Sequence, residues 1–257
     1  MKVVILCGGK GARMREETEY RPKPLVDIGG KPIIWHIMKA YSHYGINDFI
    51  LCIGYKGDML KQYFMDMYWR NNNFTIFMDD DSKNILYHTK EKENWHVTIV
   101  DTGLETMTGG RLKQAQDYID EDEFLFTYGD GLSDINIDEL YKYHKCRNTI
   151  VTLTGVHPVS PFGLLEVKDG SVTAFKEKPV LKDMINGGFM VMTKKVFNYI
   201  PDEDCFFEQQ PLAGIAAEGQ LSVYEHNGFW MAIDTFKDVE KANKIWLDSE
   251  RCWKTWV

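Results

Sequence analysis

The chain has 257 residues and a mass of 29.9 kDa, enough to bury a core of its own and short for two full domains. Apolar residues make up 44% and charged residues 26%, which excludes a disordered chain. Thirty lysines and arginines against 38 aspartates and glutamates leave a net charge of −8, which makes the chain a poor candidate for wrapping nucleic acid. A phosphorylated small molecule stays open, because a few local cations or a metal ion suffice for it. Val3 to Cys7 is a short apolar run that predicts a buried parallel strand. A polar loop follows from Gly8 to Gly30. Pro32 opens a predicted helix through Tyr44, with Ile34, Ile37, Met38 and Tyr41 on one face. Phe49 to Ile53 is a second buried strand, and Gly57 to Trp69 a second helix. Phe74 to Phe77 reads as a short strand, and 79 to 94 as a polar stretch of mixed charge. Val97 to Val100 returns to strand. Gly109 and Gly110 precede a helix running to about Ile119. Glu123 to Tyr128 is a strand that ends at Gly129-Asp130-Gly131, Asp138 to Lys145 a helix, and Ile150 to Val156 a strand. This alternation predicts an α/β fold with a doubly wound, mostly parallel, Rossmann-like sheet.

After residue 156 the rhythm changes. Gly163 to Val167, Val172 to Phe175 and Phe189 to Met192 read as short strands of a smaller acceptor-side β region, with Asp169-Gly170 as a tight turn. Short helices are expected around Lys194 to Tyr199 and Leu212 to Glu218. Strands follow at Leu221 to Tyr224 and Trp230 to Ile233, then a closing helix from Thr235 to Glu250. No linker or repeat interrupts the chain. The reading is one domain over 1–257, with a nucleotide-binding half (1–156) and an acceptor-binding half with the C-terminal helix (157–257).

The five cysteines are odd in number and have no CxxC spacing, so neither a disulfide framework nor a zinc site is expected. The seven histidines show no HExxH pattern and read as ordinary. The start does not read as a signal peptide. No apolar stretch approaches the roughly 20 residues that span a bilayer. Cytoplasmic localisation and no membrane insertion are expected.

The strand and the loop Gly8-Gly9-Lys10-Gly11-Ala12-Arg13 invite a phosphate-binding reading, since glycines let backbone N–H groups approach phosphate oxygens. No GxxxxGK[ST] string occurs. A dinucleotide fingerprint from Gly9 fails at Met14. A plain glycine-rich turn therefore competes with a phosphate loop. Arg13 and Lys23 lie ten residues apart in one segment at the ligand-binding edge of such a sheet, and Pro22 and Pro24 restrict the backbone around Lys23. Together they suit a polyphosphate, while either cation alone reads as a solvated surface charge.

The segment GGxGxRMREET…PKPLVDIGGKP resembles the signature of sugar-1-phosphate nucleotidylyltransferases. Further stretches resemble the glucose-1-phosphate cytidylyltransferase branch: Pro32 to Met38, Asp101-Thr102-Gly103, Met107-Thr108-Gly109-Gly110-Arg111-Leu112, Phe126 to Gly131, Glu177-Lys178-Pro179, Ile185 to Phe189, Gly228-Phe229-Trp230 and Trp253 to Trp256. They run in order along the chain, and MTGGRL marks the cytidylyl branch better than the glycine loop, which all branches share. The resemblance implies in-line attack of an acceptor phosphate on the α-phosphorus of CTP, forming CDP-glucose and pyrophosphate. It implies Mg²⁺ held by Asp130 and Asp234, which otherwise read as a turn aspartate and a helix N-terminal aspartate. It implies that Leu6, Cys7, Gly8, Gly9, Lys10, Gly11, Ala12 and Arg13 wrap the nucleotide with Gly129 and Asp130. Lys23 is expected to neutralise charge near the α-phosphate, making Arg13, Lys23 and Asp130 the catalytic set. Thr108, Gly109, Gly110 and Arg111 match the segment that recognises cytosine, where an arginine fork can satisfy O2 and N3. The alternative is a helix N-terminus with the threonine as its cap. Tyr128, Glu177, Lys178, Asn186 and Gly187 match acceptor contacts. A homo-oligomer is implied, with Trp246, Trp253 and Trp256 serving in packing or subunit contacts.

Four departures from the branch stand out. Ala12 replaces a threonine, Pro161 precedes Phe162-Gly163 where Gly-Arg is expected, Gln210 replaces a glutamate, and Met231-Ala232 replace Gln-Pro. The last three fall in the acceptor half. They leave open another phosphorylated acceptor, such as a different sugar phosphate or a phosphorylated amino-acid amide in surface-polysaccharide biosynthesis. A nucleotide-binding regulatory homologue without turnover is the reading from another class.

Overall fold

The computed structural model describes residues 1–78, 84–88, 92–201, 204–248 and 251–256. An eight-stranded sheet organises them. Lys2–Leu6 is central and runs parallel to Asp48–Ile53 on one side and Glu123–Tyr128 on the other. Asp48–Ile53 pairs parallel with His96–Asp101 at the edge. On the far side Met190–Thr193 inserts antiparallel between Glu123–Tyr128 and Val151–Val156, and Val151–Val156 pairs parallel with Leu221–His226.

Side-chain alternation divides the core into two layers. Val3, Ile5, Phe49 and Leu51 face the helix Ile33–His43 through Ile37, Met38 and Tyr41. Val4, Leu6, Ile50 and Cys52 face Leu112 and Ala115 of the helix Thr108–Ala115, with Leu212 and Ile215 of the helix Gln210–Ala217. Helices therefore cover both faces, as a doubly wound sheet requires. The closing helix, Phe236–Leu247, begins at a reciprocal cap between Thr235 and Asp238.

The acceptor-side β region is smaller than expected. Met190–Thr193 and Leu221–His226 belong to the main sheet. Met190, Val191 and Met192 are fully buried, because a strand inside a covered sheet needs apolar side chains on both faces. What remains is the hairpin Leu164–Lys168 with Ser171–Lys176, whose Asp169 and Gly170 both take positive φ, 50° and 80°. Phe74–Ile76 pairs with Ile85–Tyr87, a strand hidden in the polar stretch. The rest of that stretch at 79–83 and 89–91 lies outside the described residues. No helix among the described residues is long and apolar enough to cross a membrane.

Candidate active site

The parallel strands Lys2–Leu6, Asp48–Ile53, His96–Asp101 and Glu123–Tyr128 all end on one edge of the sheet. A cavity of about 650 Å³ opens there. It gathers Leu6 to Arg13, Lys23, Thr108, Arg111, Tyr128, Gly129, Asp130 and Asp234 from segments far apart in the chain. This is where ligands of open α/β sheets bind.

Lys23 is the hub. The turn Lys23–Leu25, entered from extended Pro22, carries its side chain to Asp130 and Asp234. Its Nζ donates to Asp130 Oδ2 at 2.7 Å and to Asp234 Oδ1 at 2.6 Å. The Arg13 guanidinium reaches Asp234 Oδ2 at 2.9 Å from an exposed position. Asp234 follows Trp230–Ala232, which pairs with Gly131–Ser133 directly after Asp130. That pairing brings together two carboxylates 104 residues apart in the chain. A pair of carboxylates converging on one cation fits a hard divalent ion, whose remaining positions phosphate oxygens and water would fill. Among the described residues no cluster of three or more His, Cys, Asp or Glu side chains offers a fully protein-built metal cage.

The glycine loop depends on its glycines at two positions. Gly11 has φ +59°, and a Cβ there would meet Thr18 Cγ2 at 2.7 Å. A Cβ on Gly8 would lie 2.0 Å from Arg111 Nη1. Lys10 pairs with Glu105 at 2.6 Å, another residue of the cavity wall. Cys7 is buried, and burial pushes its thiol well above the ordinary range, so it is a wall and not a nucleophile.

Arg111 differs from the expected base-reading fork. It is 4% exposed. Its Nη1 donates to Ile53 O (3.1 Å), Thr102 Oγ1 (2.6 Å) and Gly103 O (2.9 Å), and its Nη2 to Gly8 O (3.1 Å) and Leu104 O (3.3 Å). These bonds tie the ends of three strands to the helix Thr108–Ala115. Gly109 and Gly110 lie within that helix and turn away from the cavity, towards Cys205 and Asp204. The helix cap also differs. Met107 is the capping position, and the Asp204 carboxylate accepts from its N–H at 2.9 and 3.0 Å.

Glu208 does not line the cavity but bridges two residues that do, and it carries no sequence signal. Its Oε2 accepts from the Thr108 hydroxyl at 2.5 Å and its Oε1 from the Tyr128 hydroxyl. Thr108 Oγ1 accepts in turn from Phe207 N at 2.9 Å. Burial, with the Glu208 charge added, raises the Tyr128 phenol far above its usual range and keeps it protonated. One carboxylate thus joins the segment matched to cytosine and the tyrosine matched to the acceptor.

Glu177, Lys178, Asn186 and Gly187 do not line the cavity. Lys178 has φ +44°, and its exposed ammonium lies 3.8 Å from Glu177. Asn186 Oδ1 accepts from Gly188 N at 2.9 Å, and Trp230 Nε1 donates to Gly187 O at 2.8 Å. Of the departures, Met231 is a core residue, Ala232 pairs with Gly131, and Gln210 opens an exposed helix end.

A family model described as nucleotidyl transferase matches residues 2–249. The chain is 49% identical over 257 residues to a protein of Bacillus subtilis (strain 168) named probable glucose-1-phosphate cytidylyltransferase, covering all of both chains. It is 46% identical over 258 residues to the glucose-1-phosphate cytidylyltransferase of Salmonella typhimurium, again over both full lengths. Among solved structures, HddC from Yersinia pseudotuberculosis superposes with a TM-score of 0.70 at 24% identity, covering 95% of this chain and 99% of that one, which is a likeness of fold.

Proposed function

The chain belongs to the nucleotidyl transferase family, and we propose from this premise that it joins CTP to glucose 1-phosphate, forming CDP-glucose and pyrophosphate. The observation that carries the reading is the convergence of Lys23, Arg13, Asp130 and Asp234 beside the glycine loop at the sheet edge. The full-length identity to cytidylyltransferases chooses the base and the sugar.

An oxygen of the acceptor phosphate forms the new bond to the α-phosphorus. The bond from that phosphorus to the bridging oxygen breaks, and its electrons leave with pyrophosphate. The entering group is already an anion, so no general base is needed. This suits a cavity whose thiol and phenol are both held protonated. Lys23 and Arg13 lower the repulsion between the anions and hold the α-phosphate in line. The backbone from Gly8 to Ala12 cradles the polyphosphate. Thr108 and its helix border the base, and Arg111 acts there as a positioning residue. Enzymes of this family typically use a divalent metal. We assign Mg²⁺ to Asp130 and Asp234, and the chemistry it supplies is charge neutralisation on phosphate oxygens.

Residues 1–156 then form the nucleotide half and 157–257 the acceptor half of one domain. Glu177, Lys178, Asn186 and Gly187 are assigned to the acceptor through the motifs they match. Exposed Val167 and Phe175 on the hairpin, with exposed Phe162 just before it, support assembly into a homo-oligomer. The reactants support a cytoplasmic location.

The test crosses CTP, UTP, dTTP and ATP with glucose 1-phosphate in the presence of Mg²⁺ and measures pyrophosphate release. Release with CTP alone is expected. Equal release with another nucleotide removes the base assignment. No release, with CTP still bound, removes glucose.

A further inference from the structure

A second cavity, of about 730 Å³, lies between the helices Ile33–His43 and Gly57–Arg70 and, among the described residues, shares no lining residue with the first. Its size is that of a small-molecule site. Trp35, Phe64, Tyr68 and Trp256 supply aromatic walls. Among the described residues, Lys31, Lys39 and Lys92 reach the same space against a single carboxylate, Glu93.

Glu93 is committed. It accepts from Lys39 Nζ at 3.0 Å and from Trp35 Nε1 at 3.1 Å. Lys31 donates to the neutral carboxamide of Asn71 at 2.7 Å and stands 5.6 Å from the Trp35 ring centre. Lys92 stands 5.6 Å from the Tyr68 ring centre. Among the described residues neither Lys31 nor Lys92 forms a salt bridge. The described lining of the cavity therefore carries an excess of positive charge in a chain of net −8. A purely apolar ligand would desolvate these ammonium groups without compensation. A small inorganic anion would leave the aromatic walls unfilled. The chemistry that answers both is a planar ring carrying phosphate.

We propose that this cavity is a second binding site, separate from the active site, for a nucleoside phosphate. It rests on the proposed function only in the choice of probe.

Calorimetric titration of the full chain with CTP, with a chelator present to prevent turnover, tests it. The wild-type chain is expected to bind one more CTP than the Lys31→Glu/Lys92→Glu variant, or to hold that second CTP about tenfold more tightly or better. Inorganic pyrophosphate is expected not to fill the site. Lys92→Glu alone, at an exposed lysine, serves if the double variant does not fold. Equal stoichiometry and affinity in wild type and variant overturn the proposal, as does pyrophosphate binding there as tightly as CTP. The two readings fail separately. A chain that makes CDP-glucose but shows no lysine-dependent second CTP keeps its function and loses this site. A chain that binds the second CTP and releases no pyrophosphate with any nucleotide does the reverse.

Discussion

At the scale of single residues, the site is built from groups that each hold two partners. Lys23 holds Asp130 and Asp234, and Glu208 holds Thr108 and Tyr128. A carboxylate can accept from both hydroxyls, whereas a carboxamide has one accepting oxygen and must present N–H to the other. Glu208→Gln should therefore lower kcat/KM by about fivefold, a modest figure because Glu208 is exposed and water screens part of the loss. The KM values for both substrates should rise, since one side chain serves both segments. Tyr128→Phe in the Glu208→Gln background should add less than it does alone, the mark of a shared network. Steady-state kinetics of the single and double variants checks this, and additive effects would remove the coupling. Lys23→Met leaves two carboxylates and the substrate phosphates facing one another. A loss of about 10²–10³ in kcat is expected, comparable to removing one preorganised donor at a developing charge. Circular dichroism of the same sample separates this from unfolding.

At the scale of elements, the helix Thr108–Ala115 is fastened to the sheet edge by Arg111 and to the loop at 204–208 by Asp204 and Glu208. Lysine carries its three donors on one nitrogen and cannot reproduce a five-acceptor fork. Arg111→Lys should leave buried carbonyls unpaired at a cost of about 2–3 kcal/mol, read as a lower urea midpoint, and should weaken CTP binding as Gly8 loses its tie. Such fastening is poorly legible in a single chain. The strands Val3 to Cys7 and Phe49 to Ile53 and the helix after Pro32 were readable because apolar runs and local spacing reflect burial directly. Phe189 to Met192 reads just as apolar, but its neighbours in the sheet depend on pairing with Glu123–Tyr128 more than 60 residues away. Arg13, Lys23, Asp130 and Asp234 were legible through motif resemblance, and the structure brings all four together. Asp204 and Glu208 were not, because an acidic residue in an aromatic loop carries no periodic signal for what it will cap or bridge. Arg111 was legible as a residue and misread in its partners, since burial consumes the fork that the sequence leaves free.

At the scale of the whole molecule, the C-terminal segment closes over the first helix through one histidine. Trp246 and Trp253 pack edge-on against the His36 ring at 4.8 and 5.9 Å, and Trp256 lies at 6.1 Å. His36 Nε2 faces Ile28 O at 2.8 Å, and Trp253 Nε1–H donates to Nδ1 at 3.3 Å. These partners assign the neutral tautomer with its proton on Nε2. A second proton on Nδ1 would oppose the tryptophan N–H. Burial lowers the His36 pKa from 6.5 to about 4, and the Lys31 charge works in the same direction. The folded chain thus resists a proton that the unfolded chain accepts from about pH 6.5 downwards. The stability His36 contributes is intact above that value and declines as pH falls towards about 4, below which both states are protonated. Between pH 7 and pH 5 the loss from this residue should be about 2 kcal/mol. Urea unfolding of wild type and His36→Gln across this range isolates the term, because the remaining titrating groups are common to both. The glutamine variant should be less stable at pH 7 and flatter in its pH dependence by that amount. Parallel curves would mean that His36 takes up its proton at the same pH in the folded and unfolded chains, and that its burial does not oppose the charge.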